Sequence, residues 1–158
     1  MNKKINFKTL LICIAIPLLI GGIAALLTTG SMKDFDALNK PPLSPPGWLF
    51  PVVWTILYTL MGIASYFVVE TPSSPRDTRD SLRIYFIQLA FNFLWSIIFF
   101  TLGAYEIAFL WLVALLAIII ACTVRFYRVS KVAGIIMIPY ILWVSFAGYL
   151  NLAIAYIN

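Results

Sequence analysis

The sequence predicts an all-α membrane protein: a bundle of five transmembrane helices, with a long loop between helices 1 and 2, in a single domain over residues 1–158. Composition is the first reason, because 63% of the residues are hydrophobic and 11% are charged, whereas an average soluble domain has about 25% charged residues. The second reason is that the charged residues bracket five long uncharged runs. Each run reaches the roughly 17–25 residues that a helix needs to cross a bilayer. The runs are 9–32, 41–69, 84–105, 107–124 and 132–158.

The bounds of the predicted helices follow from these runs and from the residues between them. Gly103 and Ala104 leave so short a connection that the third and fourth helices must be antiparallel neighbours. Residues 30–46 separate the first two helices and end in a proline-rich stretch, which predicts a stiff, extended cover. The stretch 70–83 is predicted to be a solvated connection. The helices are predicted over 7–29, 47–69, 81–102, 105–126 and 132–156.

The distribution of basic residues predicts the orientation in the membrane. One face has only Lys33 and Lys40, so the positive-inside rule places the other face and the N-terminus in the cytoplasm of a bacterial-type cell membrane, with the C-terminus outside. The first run exceeds the apolar core of a signal peptide, about 7–15 residues, and is predicted to be a retained helix. The basic residues of the predicted cytoplasmic face are Lys3, Lys4, Lys8, Arg76, Arg79, Arg83, Arg125, Arg128 and Lys131.

Composition also excludes several kinds of chemistry. The chain has no histidine, which removes imidazole bases, histidine-bound metals and a haem axial histidine. Cys13 and Cys122 lie in apolar runs, where a thiol behaves as a small hydrophobic group. The net charge of +5 sits at helix ends and forms no basic face, so no nucleic-acid partner is expected. No metal and no cofactor are expected either, and the uncharged spans disfavour ion-coupled transport.

Polar and aromatic residues inside the predicted helices indicate a ligand site. Gln88, Asn92 and Trp95 form one stripe of the third helix, because their spacing is i, i+4 and i+7. Such side chains face protein or a cavity rather than lipid. Similar faces occur at the start of the second helix and along the fifth, and all three converge below the long loop. The members of those two faces are Trp48, Trp54, Tyr58, Tyr140, Trp143, Ala147 and Asn151.

Structural explanations compete with the ligand site. The amides can form hydrogen bonds between helices, which contribute about 0.6 kcal/mol each on average. Trp48 and Trp111 are also explained as members of an interfacial belt. The prolines inside the spans, Pro17, Pro51 and Pro139, are expected to kink the helices. A stripe of small residues in the first helix supports close helix packing, within the chain or between protomers; it comprises Gly21, Gly22 and Ala25.

The walls of this site predict the kind of ligand. Indole and phenol rings with a few amide donors suit a planar, mostly apolar molecule with polar edges. Lys33 and Lys40 on the adjoining loop could meet carboxylates at the membrane surface. A porphyrin with propionates fits this description, and a sterol fits it less well because it lacks aromatic stacking and negative charge.

Three sequence motifs resemble the TspO/translocator protein family, also called tryptophan-rich sensory proteins or peripheral benzodiazepine receptors. The first is the stretch KPPLSPPGW over 40–48, continued by PVVW over 51–54, by Leu57-Tyr58 and by Met61-Gly62. The second is QLAFNFLW over 88–95. The third is PYILW over 139–143, followed by Leu150-Asn151. The resemblance covers essentially the whole chain, including its length and its five predicted spans.

The resemblance implies a membrane-embedded homodimer that binds porphyrins such as protoporphyrin IX and synthetic isoquinoline or benzodiazepine-type ligands. It also implies sterol binding in some members. Two tryptophans, Trp54 and Trp143, match positions implicated in light- and oxygen-dependent porphyrin breakdown, and would be the catalytic residues. Where many members have a tryptophan in the loop, this chain has Leu43, and no basic residue follows Tyr156, which weakens a sterol site. The implied ligand-binding residues are Trp54, Tyr58, Asn92, Trp95, Trp143 and Ala147.

The leading hypothesis is a membrane receptor for porphyrin-like ligands, with membrane lipid as its surroundings. An enzyme that promotes photo-oxidative porphyrin degradation is the second, because ordinary acid–base catalysis has few candidate residues here. The alternative is a passive transporter or a regulatory scaffold for porphyrins or sterols.

Overall fold

The computed structural model describes residues 5–158, apart from the side chains of Met32 and Lys33. Lys3, Lys4 and the side chain of Lys33, which entered the predictions of orientation and ligand, therefore lie outside the described residues. Within the described part, five helical segments are long and apolar enough to cross a membrane. This confirms the predicted class, an all-α bundle of five membrane-spanning helices. The segments are Phe7–Ser31, Leu49–Glu70, Pro75–Thr101, Tyr105–Val129 and Lys131–Ile157.

Some of these segments consist of more than one helix, because the hydrogen-bonding pattern of the backbone changes within them. The third span ends in a π-helical turn, Ile97–Thr101, and the fifth consists of two helices. A short helix, α2, lies in the loop after the first span. The helices are α1 Phe7–Thr28, α2 Met32–Asp36, α3 Leu49–Glu70, α4 Pro75–Ser96, α5 Tyr105–Val129, α6 Lys131–Ile136 and α7 Ile138–Ile157.

The start of α4 corrects the predicted boundary at residue 81. The Ser74 hydroxyl accepts a hydrogen bond from the backbone N–H of Asp77 at 3.1 Å, and Pro75 occupies the first turn. Serine is a preferred N-cap, and proline suits the first helical position because its missing N–H would be unpaired there anyway. Residues 76–80, four of them charged, were predicted to lie in a solvated connection but belong to the first turns of α4.

The prolines act differently from the prediction that each kinks its helix. Pro51 lies in the first turn of α3, where a missing N–H breaks no helical bond. The fifth span, predicted to be one helix over 132–156, is interrupted at Met137. Pro139 lies in the first turn of α7, which begins at Ile138, and because its nitrogen cannot donate to the preceding turn, α6 and α7 do not form one continuous helix. Pro17 is buried inside α1, which continues through it.

The loop over 30–46 is only partly the extended cover that was predicted. Thr29–Ser31 form a 3-10 turn that leads into α2. A helix can form here because the prolines begin only at residue 41. The negative charge of Asp34, in the first turn of α2, also interacts favourably with the helix dipole. The proline-rich part that follows is irregular, as expected.

Packing arranges the five spans in a ring. In this ring α1 contacts α3, α3 contacts α6, α5 contacts both α6 and α7, and α4 lies between α5 and α1. Gly103, with φ of 59°, makes the tight turn that places α4 and α5 side by side, as predicted. Helices α1 and α3 approach each other closely at Gly62, where a Cβ would lie 2.7 Å from the Cys13 carbonyl oxygen of α1.

The small-residue stripe on α1 is divided between two environments. A Cβ added at Gly21 would collide with the ring of Tyr58, so this glycine serves packing within the chain. A Cβ at Gly22 would meet no described atom within 4 Å, and Ala25 is exposed. Gly21 therefore supports the position of Tyr58, while Gly22 and Ala25 face outward.

Candidate ligand-binding site

Four rings from α3, α4 and the π-helical turn pack in series below the loop and are here called the aromatic run: Tyr58, Trp54, Trp95 and Phe99. Trp54 stacks on Tyr58 at a centroid distance of 5.5 Å and an interplanar angle of 30°. Trp54 and Trp95 are 6.3 Å apart at 36°, and Trp95 and Phe99 are 5.3 Å apart at 24°. Successive rings thus pack on one another as stacked or tilted pairs, and together they form a continuous apolar wall.

Beneath this run lies a buried polar network made by Tyr58, Asn92, Tyr140 and Gln88. The Tyr58 hydroxyl donates to Asn92 Oδ1 at 2.9 Å, and Asn92 Nδ2 donates to the Tyr140 hydroxyl at 2.7 Å. The Tyr140 hydroxyl in turn donates to Gln88 Oε1 at 2.9 Å. All four side chains are buried. The network therefore joins α3, α4 and α7, and the polar groups that lipid would reject satisfy one another.

A second set of hydrogen bonds positions Trp95. Its indole Nε1 donates to Asn151 Oδ1 at 3.2 Å, while Asn151 Nδ2 donates to the Tyr105 carbonyl oxygen at 2.8 Å. The side chain of Asn151 thus connects α7 to the beginning of α5 and fixes the edge of the Trp95 ring. Asn151 has this role because its amide offers both an acceptor and a donor.

Trp143 lies apart from the aromatic run. Its ring meets Phe50 edge-on at 5.9 Å and Phe146 at 5.7 Å. Its Nε1 is buried and has no hydrogen-bond partner among residues 5–158. A buried indole N–H normally has an acceptor, so this donor remains available to a bound molecule that brings one.

Between the aromatic run and the loop there is a cavity of about 30 Å³. This is far below the roughly 300–1,000 Å³ of typical ligand pockets. Four phenylalanines crowd it, here called the phenylalanine cluster: Phe35, Phe50, Phe99 and Phe100. Phe35 on α2 contacts the other three at centroid distances of 6.4, 5.8 and 5.2 Å. The cavity is lined by this cluster and by Lys40, Ser44, Pro45, Trp95, Ala147, Leu150, Asn151 and Ile154.

The loop is fastened to the end of α7 over this cavity. Asn158 pairs reciprocally with the backbone of Asn39, accepting from its N–H at 3.0 Å and donating to its carbonyl oxygen at 3.1 Å. The Tyr149 hydroxyl donates to the Pro42 carbonyl oxygen at 3.0 Å. These bonds are exposed at the surface and few in number, so the cover can separate from α7 at low cost.

Lys40 occupies the rim of the cavity. Its ammonium group lies 3.2 Å from Asp36 Oδ1 and 4.9 Å from the centroid of the Phe35 ring. The ion pair is solvent-exposed and therefore weak. Lys40 therefore lies at the edge of the cavity.

The predicted ligand-binding residues occupy three positions relative to the cavity. Trp95 and Ala147 line it directly, while Trp54, Tyr58 and Asn92 lie behind it in the aromatic run and the polar network. Trp143 touches it only through Phe50. The sequence reasoning did not include the phenylalanine cluster. The π-helical turn, which brings Phe99 and Phe100 to the cavity together, leaves no pattern in the sequence.

The two tryptophans assigned to an interfacial belt differ in the structure. Trp48 is 67% exposed at the start of α3, as a belt residue should be. Trp111 instead donates from its Nε1 to the Phe91 carbonyl oxygen at 2.9 Å and stacks on the Phe91 ring at 4.5 Å. Trp111 therefore fastens α5 to α4, because its indole finds both a flat neighbour and an acceptor there.

The five spans and the enclosed aromatic cavity define an integral, multi-pass membrane protein with a candidate site inside its helix bundle. The family model described as the TspO/MBR family matches residues 13–157, and the chain belongs to this family. It is 37% identical to the tryptophan-rich protein TspO of Chlorobaculum tepidum, with 100% of this chain and 99% of that protein covered.

Relatives from other organisms agree with this assignment. Protein CrtK of Rhodobacter capsulatus is 36% identical, over 87% of this chain and 85% of that protein. The translocator protein of Bos taurus is 32% identical, over 86% of this chain and 82% of that protein. The resemblance inferred from the three sequence motifs is thereby confirmed.

Proposed function

We propose that the chain is a membrane receptor that binds porphyrin-like planar ligands against the aromatic run. The single observation that carries this proposal is the series of packed aromatic rings, Tyr58, Trp54, Trp95 and Phe99, beside a cavity under the loop. A flat, apolar ring that enters the cavity would pack against Trp95 and Phe99, the two members of the run that line it. Lys40 at the rim suits the propionate groups of a porphyrin, and isoquinoline or benzodiazepine-type compounds would use the same wall.

Binding requires the cover to move, because the cavity of about 30 Å³ has room for only one or two water molecules. Phe35 is the residue to be displaced, since it reaches the cavity from the loop rather than from a membrane-spanning helix. In the ligand-free protein, the phenylalanine cluster fills the place of the ligand and keeps the aromatic run out of contact with water.

Titration with protoporphyrin IX tests this proposal. The intrinsic tryptophan fluorescence of the detergent-solubilised protein should fall saturably as porphyrin is added. The double variant Trp54→Phe/Trp143→Ala should bind roughly tenfold more weakly, because each lost aromatic contact contributes about 0.5–1.5 kcal/mol. Trp111→Phe is the matched control, since it removes an indole outside the cavity. Equal affinity of the double variant and the control would remove Trp54 and Trp143 from the site.

A light-dependent breakdown of the bound porphyrin is a second candidate function. The observation that favours it is the contact between Trp54, an oxidisable indole, and Tyr58, whose phenol is hydrogen-bonded to Asn92. An illuminated pigment with oxygen would place a radical or reactive oxygen species next to these groups. Protoporphyrin IX should decay faster with the protein than with Trp54→Phe/Trp143→Phe at equal ligand occupancy. Equal decay under the same illumination would contradict this function.

We further propose that the protein is a homodimer in a bacterial-type cell membrane, with its N-terminus in the cytoplasm. The distribution of arginine and lysine supports the orientation. The outward-facing Gly22 and Ala25 support a dimer through α1, because small residues let two helices approach closely in lipid. In a Cys13→Ser/Cys122→Ser background, Ala25→Cys should form disulfide-linked dimers in membranes. Leu110→Cys, which is exposed on α5, should not.

A further inference from the structure

A second cavity lies at the opposite end of the bundle from the aromatic site, between the first turns of α4 and the last turn of α5. Its volume is about 320 Å³, within the range of small-molecule sites of roughly 300–1,000 Å³. Unlike the aromatic cavity, it is lined largely by polar and charged side chains, so it suits a different class of ligand. Its lining residues are Pro72, Ser73, Asp77, Ser81, Arg125, Arg128 and Val129.

The two arginines give this cavity an excess of positive charge. Arg125 and Arg128 are three residues apart and therefore share one face of α5. Arg125 Nη1 lies 4.0 Å from Asp80 Oδ2, but the same oxygen lies 3.8 Å from Arg76 Nε. One carboxylate is thus shared between two guanidinium groups. Within the described part of the chain, Arg128 makes no ion pair.

The carboxylate that lines the cavity is already engaged. Asp77 Oδ2 accepts a hydrogen bond from the Ser74 hydroxyl at 2.6 Å, and the same Ser74 hydroxyl accepts from the backbone N–H of Asp77 at 3.1 Å. Asp77 therefore belongs to the capping arrangement of α4. It offsets only part of the charge of the two arginines.

Ser81 adds a hydroxyl donor to the same cavity. It is 2% exposed, yet it makes no hydrogen bond with any residue in the range 5–158 that the structure describes. The buried side-chain atoms without a partner in the described chain are the Tyr85 hydroxyl and Trp143 Nε1; the Ser81 hydroxyl is not one of them, because it borders the open volume of the cavity. It is therefore free to donate to a molecule bound there.

We propose that this cavity binds a phosphate group, held by the guanidinium groups of Arg125 and Arg128 and by the hydroxyl of Ser81. Guanidinium groups match phosphate oxygens in charge and in geometry. A tetrahedral phosphate offers separate oxygens to three donors, whereas a carboxylate has only two oxygens. The cavity lies where two membrane-spanning helices end, so a phospholipid headgroup and a soluble phosphate both present this chemistry. The site is independent of the proposed porphyrin site.

Two probes and a matched lipid test the proposal on the detergent-solubilised protein. Inorganic phosphate is titrated by calorimetry, and phosphatidylglycerol is compared with a diacylglycerol of the same acyl chains by native mass spectrometry. One phosphate-bearing molecule should bind per chain. Arg128→Gln should weaken the binding of this molecule about tenfold or more, because it removes a charge-assisted hydrogen bond to the phosphate. Ser81→Ala should weaken it severalfold without lowering the unfolding temperature, because that hydroxyl has no bond to lose within the described chain.

Arg83→Gln is the matched control, since it removes the same charge near the start of α4 at a residue outside the cavity. The Arg83→Gln variant should bind both probes with the same affinity as the unaltered protein. Binding of phosphatidylglycerol alone identifies the membrane as the source of the phosphate, and binding of inorganic phosphate identifies a soluble one. The proposal is overturned if neither probe binds, if the diacylglycerol binds as well as phosphatidylglycerol, or if Arg83→Gln weakens binding as much as Arg128→Gln.

Discussion

Tyr140 holds the central position of the buried polar network, because its hydroxyl accepts from Asn92 and donates to Gln88. The spacing of Gln88, Asn92 and Trp95 predicted that these side chains share one protected face of the helix. It could not identify their partners, since the meeting of Asn92 with Tyr58 and Tyr140 depends on how α3 and α7 pack against α4. The sequence thus indicated the donors and acceptors, and the fold decided which of them pair.

Tyr140→Phe should lower the free energy of unfolding by about 1–3 kcal/mol, because it leaves a buried amide donor on Asn92 and an acceptor on Gln88 without partners. Thermal unfolding in detergent measures this change. Tyr127→Phe is the control, since Tyr127 is 48% exposed on α5 and its loss should change the unfolding temperature little. Equal effects of the two substitutions would mean that the hydrogen bonds of the Tyr140 hydroxyl contribute nothing to the stability of the fold.

Leu43 stores strain at the tip of the loop. Its φ is 68°, and the Ser44 N–H donates to the Pro41 carbonyl oxygen at 3.3 Å, so residues 41–44 form a turn that normally requires glycine at the third position. Leu43→Gly should be about 1 kcal/mol more stable than Leu43→Ala, because only glycine adopts this conformation without steric cost. The unfolding temperatures of the two variants measure the difference. A more stable alanine variant would contradict the strained turn.

Pairs of helices show why some elements were predictable and others were not. The tight α4–α5 connection followed from Gly103 and Ala104. By contrast, the π-helical turn Ile97–Thr101 leaves no pattern in the sequence, and the break at Met137 follows from Pro139, which was predicted only to kink the helix. The early start of α4 was present in the sequence as Ser74-Pro75, a capping signal hidden by the charged residues that follow it. Charge alone does not end a helix when the cap and the first turn favour it.

Gly62→Ala should separate α1 from α3, because the new methyl group would collide with the backbone of Ile14 and Cys13. Backbone atoms cannot move aside as a flexible side chain does, so we expect a loss of several kcal/mol or a failure to fold. Gly22→Ala lies on the same pair of helices but faces open space, and it should be neutral or stabilising because alanine favours helix. The expression level and the unfolding temperature of the two variants measure these effects. If Gly62→Ala is expressed and unfolds at the same temperature as the unaltered protein, α1 and α3 do not approach each other as closely as the structure indicates.

The fastening of the loop to α7 predicts a change in local opening. Tyr149→Phe removes the bond to the Pro42 carbonyl oxygen, and amide hydrogen exchange over residues 35–46 should become faster while exchange in the membrane-spanning helices stays unchanged. Tyr156→Phe is the control, since Tyr156 is exposed near the same end of α7. Unchanged exchange in the loop would mean that this bond does not hold the cover closed.

At the scale of the whole molecule, the bundle has two ends with different chemistry. One end has an apolar, aromatic cavity beneath the loop, and the other has a polar cavity between α4 and α5 that two arginines line. Composition and charge were sufficient to predict five spans, because the cost of placing charge in a bilayer leaves few alternatives. They could not predict that Phe35 fills the site from the loop, since one phenylalanine in a short amphipathic stretch has no distinctive pattern.

A crystal structure of the complex with protoporphyrin IX is the most direct test of the aromatic site. The expected result is a tetrapyrrole ring stacked against Trp54 and Trp95, a propionate near Lys40, and Phe35 displaced from the phenylalanine cluster. A porphyrin bound on the lipid-facing surface, with Phe35 still packed against Phe99 and Phe100, would contradict it.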